Sequence, residues 1–86
     1  MLDVDRLHGL LEEALQQFIG GRFDVRKREI AGNVFFTVTC TQVGFDRLHS
    51  VQGSRFRSAL FDVIDGIAIR EGSAARITYK TGGPVV

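Results

Sequence analysis

The first apolar stretch of the chain has helical spacing. Between about Asp3 and Phe18, apolar residues recur every three or four positions, as in an amphipathic helix with one buried stripe. Asp3 and Asp5 suit the start of a helix, where side-chain acceptors and negative charge are favoured. Gly20-Gly21 suits its end, because glycine adopts the left-handed cap conformation without steric cost. The stripe consists of Leu7, Leu10, Leu11, Ala14, Leu15, Phe18 and Ile19.

Alternating patterns predict three strands. The first, about Arg22 to Ile30, is charged on both faces, which suits the edge of a sheet. A turn at 31–33 leads to the second strand, Val34 to Val43, whose β-branched and aromatic residues favour a pleated surface and whose threonine face should meet solvent. The third strand, about Ala74 to Thr81, alternates Ala75, Ile77 and Tyr79 with Arg76, Thr78 and Lys80.

The stretch between the second and third strands should cover the sheet. Phe45 and Leu48 predict a short helix, Gly53 a break, and Ser54 the N-cap of a longer helix. The apolar stripe expected for that longer helix is Phe56, Ala59, Leu60, Val63, Ile64 and Ile67.

The element order is therefore α-β-β-α-α-β, which predicts an α+β fold with two main helices packed on one face of a three-stranded sheet. Residues 1–86 form a single domain, with 82–86 as a loose tail. The second strand should pair with the first through the hairpin. The third strand can join either of them, so either the first or the second strand is central.

Composition sets few limits on function. A net charge of +1 does not by itself call for a nucleic acid or a membrane. The single cysteine, Cys40, allows no internal disulfide and is expected to be a buried thiol in a reducing compartment. No membrane span or signal peptide is evident, so we expect a cytoplasmic protein.

Catalytic constellations are not apparent. Cys40 has no histidine near it in sequence, the adjacent Glu12 and Glu13 point in different directions, and neither His8 nor His49 has a partner at ligand or catalytic spacing. We therefore expect a non-catalytic protein without a metal or cofactor.

Four basic side chains around the helix break form the main candidate site: Arg47, His49, Arg55 and Arg57. With Ser54 as the cap, Arg55 and Arg57 would lie in the first turn, where the helix dipole disfavours cations, and this suggests a functional reason for them. The alternative is a solvated face whose arginines pair with Asp46 and Asp62.

Two functions follow from this site. The first is a protein-interaction adaptor or inhibitor that uses this basic face or an exposed sheet edge, with a homodimer through an edge strand as a variant. The second is a nucleic-acid-binding regulator that uses the same arginines, assisted by Arg76 and Lys80. Near-neutral net charge slightly favours the first.

The run Arg26-Lys27-Arg28 is more readily explained as a solvated edge than as a phosphate site, because alternation splits it between two faces.

Three segments of the chain carry a family resemblance: Phe36-Thr37-Val38-Thr39 with Phe45, Val51-Gln52 with Arg55 and Ala59-Leu60, and Ile77-Thr78-Tyr79-Lys80-Thr81 with Pro84. Together with the element order, they resemble the BolA-like family and type II KH domains. Two departures limit what this implies. Ala75 stands where the BolA-like histidine would help hold an iron–sulfur cluster shared with a glutaredoxin, and the Gly-x-x-Gly loop of KH domains is absent. The resemblance thus implies the fold and not the cluster.

Overall fold

A computed structural model describes residues 2–82 and confirms the predicted order α-β-β-α-α-β. Most of the predicted tail, residues 83–86, lies outside the described residues, and Thr81 belongs to the last strand. The elements are α1 (Val4–Phe18), β1 (Phe23–Ile30), β2 (Asn33–Cys40), α2 (Gln42–Leu48), α3 (Val51–Arg70) and β3 (Ala75–Thr81).

Helix α1 begins and ends where its sequence signals predict. The carboxylate of Asp3 accepts a hydrogen bond from the Arg6 amide at 3.0 Å, which satisfies one of the free N–H groups of the first turn. Gly20 and Gly21 have φ values of +59° and +66°, the left-handed conformation expected after the helix. The stripe faces the core, where Leu7, Leu11 and Leu15 are fully buried.

Strand β2 lies at the centre of a mixed sheet, which settles the two alternatives left by the sequence. β1 and β2 are antiparallel and are joined by Ala31-Gly32, whose φ values of 52° and 82° give the type I′ turn that matches strand twist. β2 and β3 are parallel, a pairing that requires a crossover, and α2 with α3 supplies it.

The second strand ends earlier than predicted. β2 stops at Cys40, because the Thr41 hydroxyl accepts a hydrogen bond from the Gly44 amide at 3.2 Å and so caps α2. Val43, predicted as the end of the strand, lies in the first turn of α2 and is 79% exposed.

The predicted helix break at Gly53 and the predicted cap at Ser54 are both wrong. The break lies at 49–50, and the Ser50 hydroxyl accepts from the Gly53 amide at 3.1 Å, which makes Ser50 the N-cap of α3. Arg55 and Arg57 therefore fall in the second turn of α3. The helix dipole acts mainly within the first turn, so it no longer makes these arginines unusual.

The core fills one side of the sheet only. Alternation along β2 directs Val34, Phe36, Val38 and Cys40 toward the helices, and all four are buried. The buried line of α3 is narrower than its predicted stripe. It consists of Gly53, Leu60, Ile64 and Ala68, whereas Ala59 and Val63 are exposed.

Within residues 2–82 all three helices lie on the same side of the sheet, so the opposite face has no covering element. On that face the threonines of β2 are half-buried. The face predicted to meet solvent is thus the uncovered face of the sheet, although its threonines are only partly exposed.

Candidate functional site

Two of the four predicted site residues hold the fold together. The Arg47 Nε donates to the carbonyl of Phe18 at 2.7 Å, and its guanidinium lies 4.8 Å from the centre of the Phe18 ring. The Arg57 Nε donates to the carbonyl of Leu48 at 2.7 Å. Both carbonyls close a helix, where the C=O groups lack intrahelical partners and cations are favoured. Each arginine therefore caps the C-terminus of a helix.

The other two predicted residues differ from each other. The His49 Nδ1 lies 2.9 Å from the carbonyl of Phe45, and the two rings stack with 4.1 Å between their centroids. Arg55 is exposed and makes no ion pair or hydrogen bond with the described part of the chain. Because residues two apart on a helix point in nearly opposite directions, Arg55 and Arg57 do not form one patch. Partner binding by the four residues around the helix break stays a prediction. Of the four, Arg55 is the one whose side chain makes no ion pair or hydrogen bond with the described part of the chain.

The uncovered side of the sheet brings together basic residues that are distant in sequence. We call it the open face. It carries four cations and one carboxylate, a formal charge of +3, whereas the whole chain carries +1. Charge is thus segregated in a protein that is nearly neutral overall. The open face consists of Asp24, Arg26, Arg28 and Ile30 on β1, Asn33, Phe35, Thr37 and Thr39 on β2, and Arg76, Thr78 and Lys80 on β3.

Phe35 lies between two arginines at the middle of this face. The pairing register places Arg28 beside it on β1 and Arg76 beside it on β3. Neighbouring strands are about 4.8 Å apart, so the row spans about 10 Å between the two flanking Cα atoms. The Phe35 ring is half-buried although no helix covers it.

Three cations of the open face are available to a ligand. The Arg26 Nε donates to Asp24 at 3.0 Å, which partly neutralises that pair. Arg28, Arg76 and Lys80 are exposed, and within residues 2–82 their side chains have no ion pair or hydrogen bond. Lys27, the middle residue of the basic run, points to the helix side and pairs with Asp5 of α1. This confirms that alternation splits the run.

Sequence reasoning included Arg76 and Lys80 but grouped them with the arginines near the helix break. Arg28 was assigned to a solvated edge, and Phe35 was not proposed as a site residue. Alternation along β1 and β3 predicts which side chains share a face. The row Arg28–Phe35–Arg76, however, forms only when β2 is the central strand, and the sequence did not determine the strand order.

A groove lies between α3 and β3, with a volume of about 320 Å³. In it, the hydroxyl of Tyr79 is inaccessible to solvent and has no hydrogen-bond partner within residues 2–82. Burial raises the pKa of Tyr79 to about 12, against a smaller lowering effect of the Arg57 guanidinium. The groove is lined by Ser54, Arg57, Ser58, Phe61, Ile77 and Tyr79.

Cys40 is buried on β2, and burial raises the pKa of its thiol, which therefore stays protonated at neutral pH. In residues 2–82, no group of three or more histidine, cysteine, aspartate or glutamate side chains could hold a metal ion. No helix of the same range is long and apolar enough to cross a membrane.

Comparisons with known proteins leave the resemblance to BolA-like and KH domains as a prediction. No protein-family model matches the chain, and no curated protein or solved structure is significantly similar to it.

Proposed function

We propose that the protein is a non-catalytic module that binds single-stranded nucleic acid on the open face of its sheet. The observation that carries the proposal is the row Arg28–Phe35–Arg76 at the centre of an uncovered basic surface. It supplies the two kinds of group that such ligands need on one surface, cations for phosphates and an aromatic ring for a base.

The charges favour a polyanion. Arg28, Arg76 and Lys80 make no ion pair with the described chain, so neutralising phosphates would cost them no internal contact. Release of counterions from the nucleic acid makes such binding depend on salt, with a slope of log K against log salt near −0.7 for each phosphate contact on a single strand. Three contacts give a slope of about −2.

The shape favours a single strand. Unpaired bases can lie on an open sheet and stack on a ring such as Phe35, whereas the bases of a duplex are already stacked on one another. The adjacent row contains Thr37 and Thr78, which pair with each other and offer hydroxyl groups that can donate to or accept from base edges.

Fluorescence anisotropy with labelled oligo-dT and oligo-U at low salt tests the proposal. We expect Arg28→Ala and Arg76→Ala each to weaken binding and to reduce the steepness of the salt slope by about 0.7. We expect Phe35→Ala to cost about 1–3 kcal/mol of binding free energy through lost stacking, with little change in the salt slope.

Arg55→Ala is the matched control, because Arg55 is an exposed and unpaired arginine on the other side of the molecule. It should bind as the wild type does. The proposal is wrong if neither oligonucleotide binds at low salt. If Arg55→Ala loses affinity and the sheet variants do not, the helix-break arginines carry binding instead.

A further inference from the structure

The outer edge of β1 is partly covered by α1. In a two-residue hairpin, alternate residues of β1 bond to β2 and the others point away from it. The His8 Nε2 donates to the carbonyl of Val25, one of these outward groups, at 2.9 Å. Lys27, two residues further along, pairs with Asp5 of the same helix. A strand approaching this edge would have to displace both contacts.

The outer edge of β3 is different. The Val34 amide donates to the carbonyl of Ala74, and the Ala75 amide donates to the carboxylate of Asp65 on α3, each at 3.0 Å. Ala75 therefore points away from β2, and so do Ile77, Tyr79 and Thr81, because edge direction alternates along a strand. Within residues 2–82, those last three residues pair with no further strand.

The groove beside this edge has a specific chemistry. Its walls combine the apolar side chains Phe61 and Ile77 with the guanidinium of Arg57 and the hydroxyls of two serines, and no carboxylate lines it. Phe61 is 39% exposed. The hydroxyl of Tyr79 lacks a partner there, and such a buried, unpaired group is uncommon in folded proteins.

We propose that the β3 edge and this groove together bind an extended acidic segment of another protein, which adds to the sheet as a fourth strand. Main-chain hydrogen bonds to Ile77, Tyr79 and Thr81 would provide affinity, as in other cases of strand addition. The site lies next to the open face and shares Arg76 and Lys80 with it. Its main-chain hydrogen bonds and its groove use the alternate residues of β3 and involve neither Arg28 nor Phe35.

Charge complementarity selects an acidic partner. Side chains of the added strand on the open-face side would lie beside Arg76 and Lys80, and opposite charges across neighbouring strands are stabilising. On the groove side, apolar side chains would contact Phe61 and Ile77, with a carboxylate able to reach Arg57.

A second copy of the chain fits less well. Antiparallel pairing about Thr78 would place Arg76 opposite Lys80 of the other copy, and like charges there are unfavourable.

The test is a titration of the ¹⁵N-labelled protein with a blocked peptide of about eight residues that alternates glutamate and valine. We expect saturable binding, with the largest amide shifts and new protection from hydrogen exchange at Ile77, Tyr79 and Thr81. The same peptide with lysine in place of glutamate should not bind.

Two variants locate the site. Ser58→Glu adds charge and bulk at the groove and should weaken binding by about tenfold or more. Ala59→Glu adds the same charge to the exposed, opposite side of α3 and should leave binding unchanged. Arg28→Ala, which tests the open face, should also bind the peptide normally. Thermal unfolding of each variant verifies that the fold is retained.

The proposal is overturned if the peptide causes no shifts at millimolar concentration, if the shifts lie away from β3, or if both glutamate variants lose affinity equally. It is also overturned, in favour of a second copy of this chain, if light scattering finds a dimer that Ser58→Glu dissociates.

Discussion

At the scale of single residues, Gly53 shows that a glycine can be required inside a helix. It lies in the first turn of α3, where the end of α2 crosses so closely that an added Cβ would sit 2.1 Å from the carbonyl oxygen of Arg47 and 2.3 Å from that of Leu48. Those neighbours are main-chain atoms and cannot rotate away. Only glycine permits this approach of two backbones.

A matched pair of substitutions measures this requirement. We expect Gly53→Ala to destabilise the protein by about 3 kcal/mol or more, since a backbone clash must be relieved by separating α2 from α3. Gly66→Ala, further along the same helix where a Cβ meets nothing within 4 Å, should stabilise by about 0.5–1 kcal/mol through helix propensity. Urea unfolding of both variants gives the two values.

If Gly53→Ala were neutral, the close crossing of α2 and α3 would be wrong. The sequence marked Gly53 as special but assigned it to a helix break. Glycine is equally suited to a break and to a close contact, and local sequence carries no signal of which backbone passes nearby.

At the scale of elements, two serines compete as the start of α3. Ser50 and Ser54 both precede the same apolar stripe, so spacing alone does not choose between them. The structure selects Ser50, whose hydroxyl accepts from the Gly53 amide and also donates to the carbonyl of Arg47 at 2.6 Å. One side chain thereby joins the end of α2 to the start of α3.

We expect Ser50→Ala to cost about 1 kcal/mol of unfolding free energy, as loss of an N-cap usually does. Ser54→Ala should be neutral or slightly stabilising, because Ser54 lies inside the helix, where alanine has the higher propensity. Chemical denaturation of the two variants, with matched m-values, provides the comparison. If Ser54→Ala lowered the free energy of unfolding more than Ser50→Ala does, Ser54 would be the N-cap, as the sequence predicted.

Elements were more predictable than their arrangement. Helical periodicity located α1, and alternation assigned the core face of β2 through Phe36, Val38 and Cys40. Local patterns do not encode strand order, so the neighbours of Phe35, and with them the candidate site, could be identified only from the pairing register.

At the scale of the whole molecule, alkaline pH should weaken the fold. The pKa of Tyr79 is raised from 10.0 to about 12 in the folded chain, and that of Cys40 is raised above 9.0, both chiefly by burial. Between about pH 10 and pH 12 the unfolded chain releases the tyrosine proton and the folded chain retains it. The folded state then binds more protons, so the stability that Tyr79 contributes is fully present below about pH 10 and is lost as the pH rises toward 12. The contribution of Cys40 begins to be lost earlier, as the pH rises past 9.0.

Tyr79→Phe isolates this effect. Its free energy of unfolding should fall less than that of the wild type between pH 8 and pH 11, measured by urea denaturation at each pH. At pH 8 the variant should be as stable as the wild type or about 1 kcal/mol more stable, because it removes a buried hydroxyl that has no partner. If the free energy of unfolding fell equally in both proteins between pH 8 and pH 11, ionisation of Tyr79 would not be the cause of the loss of stability at alkaline pH.

The contact between His8 and the carbonyl of Val25 also bears on how large an assembly can become. A sheet that extends through many molecules needs two unpaired edge strands on each subunit, one to pair with the preceding subunit and one to pair with the next. With one edge obstructed by a helix, any strand-to-strand association through β3 ends at a pair. The two contacts of α1 with the β1 edge, His8 with Val25 and Asp5 with Lys27, thus distinguish a domain that can take up one partner strand from one that could polymerise.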